Sequence, residues 1–142
     1  MIALGCDHAG FPLMGTVKGY LEERGLAYED LGTDSQESVD YPLYARRVAQ
    51  AVLAGRCDKG ILICGTGIGI SIAANREKGV RCALCHDVFS AKAARQHNDA
   101  NILAMGGRVI GPGPALEVLR AFLETDFTGG ENYVRRIGML DD

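Results

Sequence analysis

The residues best placed to do chemistry fall in one stretch, GILICGTGIGISIAAN, from Gly60 to Asn75. Ile61, Leu62 and Ile63 make a short, bulky apolar run, the signature of a buried strand. Gly65, Thr66, Gly67 and Gly69 follow as a turn that needs glycine's conformational freedom. Ile70 to Ala74 resumes with small and apolar residues suited to a helix packed closely on a sheet. Cys64 stands where the strand passes into the turn. A thiol there faces the N–H groups of the turn and the positive end of the next helix, a field that favours a thiolate as well as a bound anion. The stretch therefore offers a base or nucleophile beside an oxyanion cradle. The competing reading is a small buried cysteine next to an ordinary strand-to-helix turn. The glycine spacing is G-x-G-x-G, not the G-x-G-x-x-G of a dinucleotide site.

Other polar groups stand just after apolar runs. Asp7 and His8 follow the first one, where they would bind hydroxyls, shuttle protons, or simply cap the next helix. Arg108, after Gly106-Gly107, is either a phosphate grip or a surface arginine. His97 and Asn98 end a helical segment, where a cationic histidine also has a purely structural use. Arg135 and Arg136 read as solvated residues of a terminal helix. Cys82 and Cys85 form a C-x-x-C, but Cys82 falls inside an expected strand. The two thiols then point to different faces, and no second ligand pair exists for a metal.

These groups need a frame, and the hydrophobic pattern supplies one. Strands are expected at 1–5, 27–31, 61–63, 80–84 and 102–105. Helices are expected from Pro12 to about Gly25, from Asp40 as cap through Pro42 to Gly55, from Ile70 onward, and over 86–97. Two more follow Pro112-Pro114 and Gly130. Alternation of strands and helices calls for a parallel, five-stranded α/β sheet covered on both faces, with ligands at the strands' carboxyl ends. Tyr41 could line a pocket, but core packing is the expectation.

Composition narrows the partners. The 142 residues suit a single domain, 1–142, with a real core. A net charge of -3 with no basic stripe argues against nucleic acid and anionic membranes. No apolar run approaches the roughly 20 residues that span a bilayer. Five cysteines, an odd number, and an N-terminus without a basic and apolar leader point to free thiols in a reducing, cytoplasmic setting.

Taken in order, GCDHAG at 5–10, YPLYA at 41–45, ICGTGIGISIAANR at 63–76, RQHNDAN at 95–101 and GGRVIG at 106–111 resemble the ribose-5-phosphate isomerase B family, which also includes galactose-6-phosphate isomerase subunits. The resemblance spans nearly the whole chain. It implies a Rossmann-like, doubly wound fold with a C-terminal helix. It also implies a homodimer or dimer of dimers with sites at the interface, and reversible aldose–ketose isomerisation of a phosphorylated sugar without metal or organic cofactor. Residue by residue, it makes Cys64 the proton-abstracting base and His97 the proton donor for ring opening. Asp7, His8 and Asn98 become sugar contacts, and Gly65, Thr66, Gly67, Ile68 and Gly69 the loop around the enediolate oxygen. Arg108 and Arg135 become phosphate ligands. One position departs from the family pattern: Glu131 stands after Gly129-Gly130 where an arginine is usual. That leaves open a tetrose or hexose phosphate as substrate, besides ribose 5-phosphate. A different class of function, a non-catalytic sugar-phosphate-binding module, would use the same glycine loop without needing Cys64.

Overall fold

The computed structural model describes residues 1–142 and contains five parallel strands and six helices. In chain order these are β1 (Ile2–Cys6), α1 (Phe11–Glu23), β2 (Tyr28–Asp30), α2 (Tyr41–Leu53), β3 (Lys59–Cys64), α3 (Ile68–Asn75), β4 (Cys82–Leu84), α4 (Val88–Asn98), β5 (Ile102–Gly106), α5 (Pro112–Glu124) and α6 (Glu131–Leu140). The sheet order is β2-β1-β3-β5-β4. From β1 the chain winds outward to β2, then crosses to β3 and winds the other way. The strand order thus reverses between β1 and β3, and a crevice opens there at the carboxyl ends of a doubly wound sheet. The strand register sets Cys6 opposite Ile63 and Cys64 opposite Gly106, so three strands end side by side on that edge.

Strand alternation builds two cores. Leu4, Ile61, Ile63, Leu103 and Met105 face one layer with Leu13, Val17, Leu119 and Phe122 of α1 and α5. Ala3, Leu62, Cys64, Ile102 and Ala104 face the other, with Ala45, Val48 and Ile70 of α2 and α3. A strand buried on both faces reads as an unbroken apolar run, which is why β3 was legible. Helix α6 buries no residue and stands outside both layers.

Several expected boundaries shift. β4 begins at Cys82 rather than at residue 80, because the Arg81 N–H donates to the Asn101 side chain (2.8 Å) instead of to the strand ladder. Helix α4 starts after Asp87, whose carboxylate caps it by accepting the Ser90 N–H (2.7 Å). Asp40 occupies the cap position of α2, but its side chain makes no capping bond.

Candidate active site

β3 delivers Cys64, 5% exposed, to the carboxyl edge of the sheet. Its Sγ accepts the N–H of Gly67 at 3.2 Å. Gly67 can offer that N–H because it sits at φ +79 as the cap of α3. A Cβ there would meet the Met105 carbonyl at 2.8–2.9 Å, so both conformation and space require glycine. The N–H of Ile68 is taken by Thr66 Oγ1 (3.1 Å). Those of Gly65, Thr66 and Gly69 donate to nothing in the chain. Three free amides beside a thiol at a helix N-terminus form a cradle for negative oxygen.

The turn after β5 is laced to this loop. The Gly107 N–H donates to the Cys64 carbonyl (2.8 Å) and the Arg108 N–H to the Gly65 carbonyl (3.0 Å). The Arg108 guanidinium overhangs Gly65 and enters no ion pair. It is an uncommitted cation whose planar fork matches phosphate. From the end of β1, Asp7 is 5% exposed and uses Oδ1 to accept the N–H groups of Ala9 and Gly10, both at 3.0 Å. One oxygen thus holds the turn before α1 and does not cap the helix, whose cap position is Gly10 and receives no side-chain bond. Its Oδ2 bonds to no protein donor and is not sealed from the cleft. His8 accepts the Val39 N–H on Nδ1 (3.2 Å), which leaves Nε2–H as the donor of the neutral ring.

Asp7, His8, Cys64, Arg108 and the Gly65–Gly69 loop line one cleft of about 420 Å³. Tyr41 lines it too, not the core as expected. Its ring stands over Gly69, where a Cβ would meet it at 2.6 Å. Its place at a loop end, just before the Pro42 helix start, is what allowed for a pocket-lining role in the sequence. His86, in the Cys85-His86-Asp87 run just after β4, is one of the polar strand-end groups at which a site is expected, but it does not line this cleft. Its Nε2 accepts the Gly106 N–H (2.8 Å), pinning the end of β5 behind the loop.

His97, Asn98 and Arg135 are not in this cleft. Helices of a parallel sheet run back against the strands, so the end of α4 lies at the amino edge. At ~3.3 Å per residue, the length of a five-residue strand sets it roughly 15 Å from Cys64. There the His97 ring stacks on Tyr133 of α6, with centroids 4.7 Å apart and planes 19° apart. Asn98 borders a separate hollow with Arg81 and Leu140. Arg135 and Glu131 are exposed on α6 and do not pair with each other.

The remaining thiols are held as neutral groups. Burial pushes Cys6 and Cys85 up to about 11, helped by Asp30 and Asp87 respectively. Burial likewise raises Cys82, and Cys57 beside Glu29. No three His, Cys, Asp or Glu side chains gather into a metal-binding group.

A thiol and an amide cradle at the switch point of a doubly wound sheet define the class: an α/β protein with a strand-end site for an anionic ligand. The chain belongs to the Ribose/Galactose Isomerase family, whose model matches residues 2–140. It is 50% identical over 134 residues to ribose-5-phosphate isomerase B of Escherichia coli, covering 94% of this chain and 90% of that one. It is 45% identical over a 143-residue alignment to D-erythrulose-4-phosphate isomerase of Pectobacterium atrosepticum, covering 99% and 94%. The structure of Clostridium thermocellum ribose-5-phosphate isomerase B matches with a TM-score of 0.97 at 46% identity, over 99% of this chain and 94% of that one.

Proposed function

We propose that this chain interconverts ribose 5-phosphate and ribulose 5-phosphate through an enediolate, with Cys64 as the base. The observation that carries the reading is the Cys64 sulfur held by one N–H of a turn whose neighbouring amides are free. Moving a carbonyl between C1 and C2 needs one base that carries a proton between adjacent carbons, and donors for the oxygen that becomes negative. Cys64 takes the proton. The amides of Gly65, Thr66 and Gly69 receive the developing charge, a preorganised arrangement in which one donor is typically worth ~10²–10³ in rate. Asp7 Oδ2 and His8 Nε2–H meet the sugar hydroxyls, and Arg108 meets the phosphate.

Ribose 5-phosphate is mostly a ring, so a second acid–base group must open it. We assign that step to His97, with Asn98 and Arg135 as further sugar and phosphate contacts. These three stand at the opposite edge of the sheet, so they serve the cleft of a second copy. The assembly is a homodimer or a dimer of dimers. Its contact surface is supported by Ile68, Ile72, Phe89 and Val109, large apolar residues 51–81% exposed on α3, α4 and the turn after β5.

A second reading keeps the chemistry and changes the sugar. Glu131 is an unpaired carboxylate at the start of α6, on the helix that carries Arg135. A negative charge there disfavours a phosphate close by, and the similarity to D-erythrulose-4-phosphate isomerase spans 99% of this chain. Comparing kcat/KM on pentose, tetrose and hexose phosphates separates the two. The first reading requires ribose 5-phosphate to lead the panel; a tetrose or hexose phosphate in that place establishes the second.

A further inference from the structure

Helix α6 lacks the usual means of attachment. None of its residues is buried, so apolar packing contributes little to holding it. Polar and aromatic contacts do so instead, at three points along α4 and the loop behind it. Before the helix, Thr128 donates both its N–H (3.2 Å) and its hydroxyl (2.9 Å) to the Gln96 carbonyl. In its first turn, the Tyr133 ring lies on the His97 ring. At its end, Asp141 accepts a bond from Arg81 Nη1 at 2.8 Å.

Arg81 is the hinge pin of this arrangement. Its side chain is only 17% exposed. Besides Asp141 it donates Nε to the carbonyls of Asn98 (3.1 Å) and Asp99 (3.2 Å), and Nη2 to the Asp99 carbonyl (3.0 Å). These are terminal carbonyls of α4 that the helix itself cannot satisfy. The chain leaves α4 through Asp99 at φ 45, the only non-glycine residue with positive φ. Arg95, on the other side, fixes that turn by donating to Asp99 Oδ1 (2.8 Å) and the Ala100 carbonyl (2.7 Å). One guanidinium therefore ties the backbone just after His97 to the end of the helix whose start covers the His97 ring.

We propose that Tyr133 is a positioning residue for the His97 imidazole, and that the Arg81–Asp141 clasp holds α6 where Tyr133 can reach it. The inference rests on the ring-opening role given to His97 above. A histidine on the last turn of a helix keeps rotamer freedom about χ1 and χ2. A flat aromatic face at 4.7 Å removes most of it, and proton transfer falls quickly when the donor is misplaced.

The test separates ring opening from proton abstraction. The five-carbon ketose has its C5 oxygen phosphorylated and cannot close a furanose on C2, so deuterium wash-in at its C1 in heavy water needs the base but no ring chemistry. Both rates are measured at saturating substrate for Tyr133→Ala, Tyr133→Phe, Asp141→Ala and His97→Asn. We expect Tyr133→Ala to slow isomerisation of ribose 5-phosphate roughly 3- to 10-fold, the size of an aromatic pair's contribution, with C1 wash-in within about twofold of native. Tyr133→Phe should restore the rate, and Asp141→Ala should follow Tyr133→Ala with a smaller loss. The proposal is overturned if Tyr133→Ala leaves isomerisation intact, if it slows both rates alike, or if Tyr133→Phe fails to restore. If His97→Asn loses isomerisation while Tyr133→Ala does not, this inference alone fails. If His97→Asn isomerises ribose 5-phosphate at the native rate, the role of His97 is what fails.

Discussion

Cys64 differs from the other four thiols in what surrounds its sulfur. Cys6 and Cys85 are pushed up to about 11 by burial, and Cys57 and Cys82 are raised as well; Cys64 instead lines the cleft and accepts an N–H. Alkylation with iodoacetamide at neutral pH should therefore label Cys64 first and abolish activity in step with labelling, as peptide mapping by mass spectrometry will show; earlier labelling of any other cysteine would contradict this. The raised thiols carry a stability consequence of definite sign. Their folded values exceed the ordinary thiol value of 9.0, so the stability they contribute is complete below about pH 9 and is lost as pH rises toward about 11. Cys6→Ala should flatten that alkaline fall in Tm. At Gly67 the constraint is steric. Gly67→Ala forces a side chain into left-handed backbone against the Met105 carbonyl, costing at least ~1 kcal/mol and pulling the N–H off Cys64. Thermal melts should show the loss, with kcat falling further than stability alone explains.

At the scale of elements, parallel strands make a site from residues far apart in sequence. Asp7, Cys64 and Arg108 meet because β1, β3 and β5 end on one edge. That much was legible: apolar runs mark strands, and polar residues immediately after them mark the ligand edge. The contact of Tyr41 with Gly69 was not, because it depends on the course of the loop over 32–40, which the Val39 N–H fastens to His8 before α2 begins. The place of His86 just after a strand was legible, but its role as an acceptor was not, because that needs β4 and β5 to be neighbours, which periodicity alone does not dictate. Capping was legible only in part. Asp87 and Asp40 are both acidic residues before a helix, yet only Asp87 takes up an N–H, and that bond lowers its carboxyl below the ordinary value. Asp87→Ala should lower Tm by a few degrees at neutral pH, with the difference from native vanishing as pH falls through the carboxylate range. Asp40→Ala should leave Tm unchanged. Equal effects at the two positions would refute the distinction.

Across the whole molecule, the residues given to the reaction are split between opposite edges of one sheet. A single copy offers Cys64, the amide cradle and Arg108 at one edge, and His97, Asn98 and Arg135 at the other. The proposed site is complete only where two copies meet. Phe89, 81% exposed at the start of α4, is the largest uncovered apolar group beside the carboxyl edge. Phe89→Glu should shift sedimentation toward the monomer and reduce turnover at least tenfold while leaving the far-ultraviolet circular dichroism unchanged. A monomer that retains native turnover would dismiss the shared site.

The central claim is that Cys64 moves the proton. It is tested by incubating native protein and Cys64→Ala with ribose 5-phosphate in heavy water and following product and label together by proton NMR. A positioned base contributes ~10²–10⁴ in rate. The account predicts that the native protein forms ribulose 5-phosphate carrying deuterium at C1, and that Cys64→Ala still binds the sugar phosphate but forms product at least a hundredfold more slowly. Near-native, deuterium-labelled product from Cys64→Ala would contradict it.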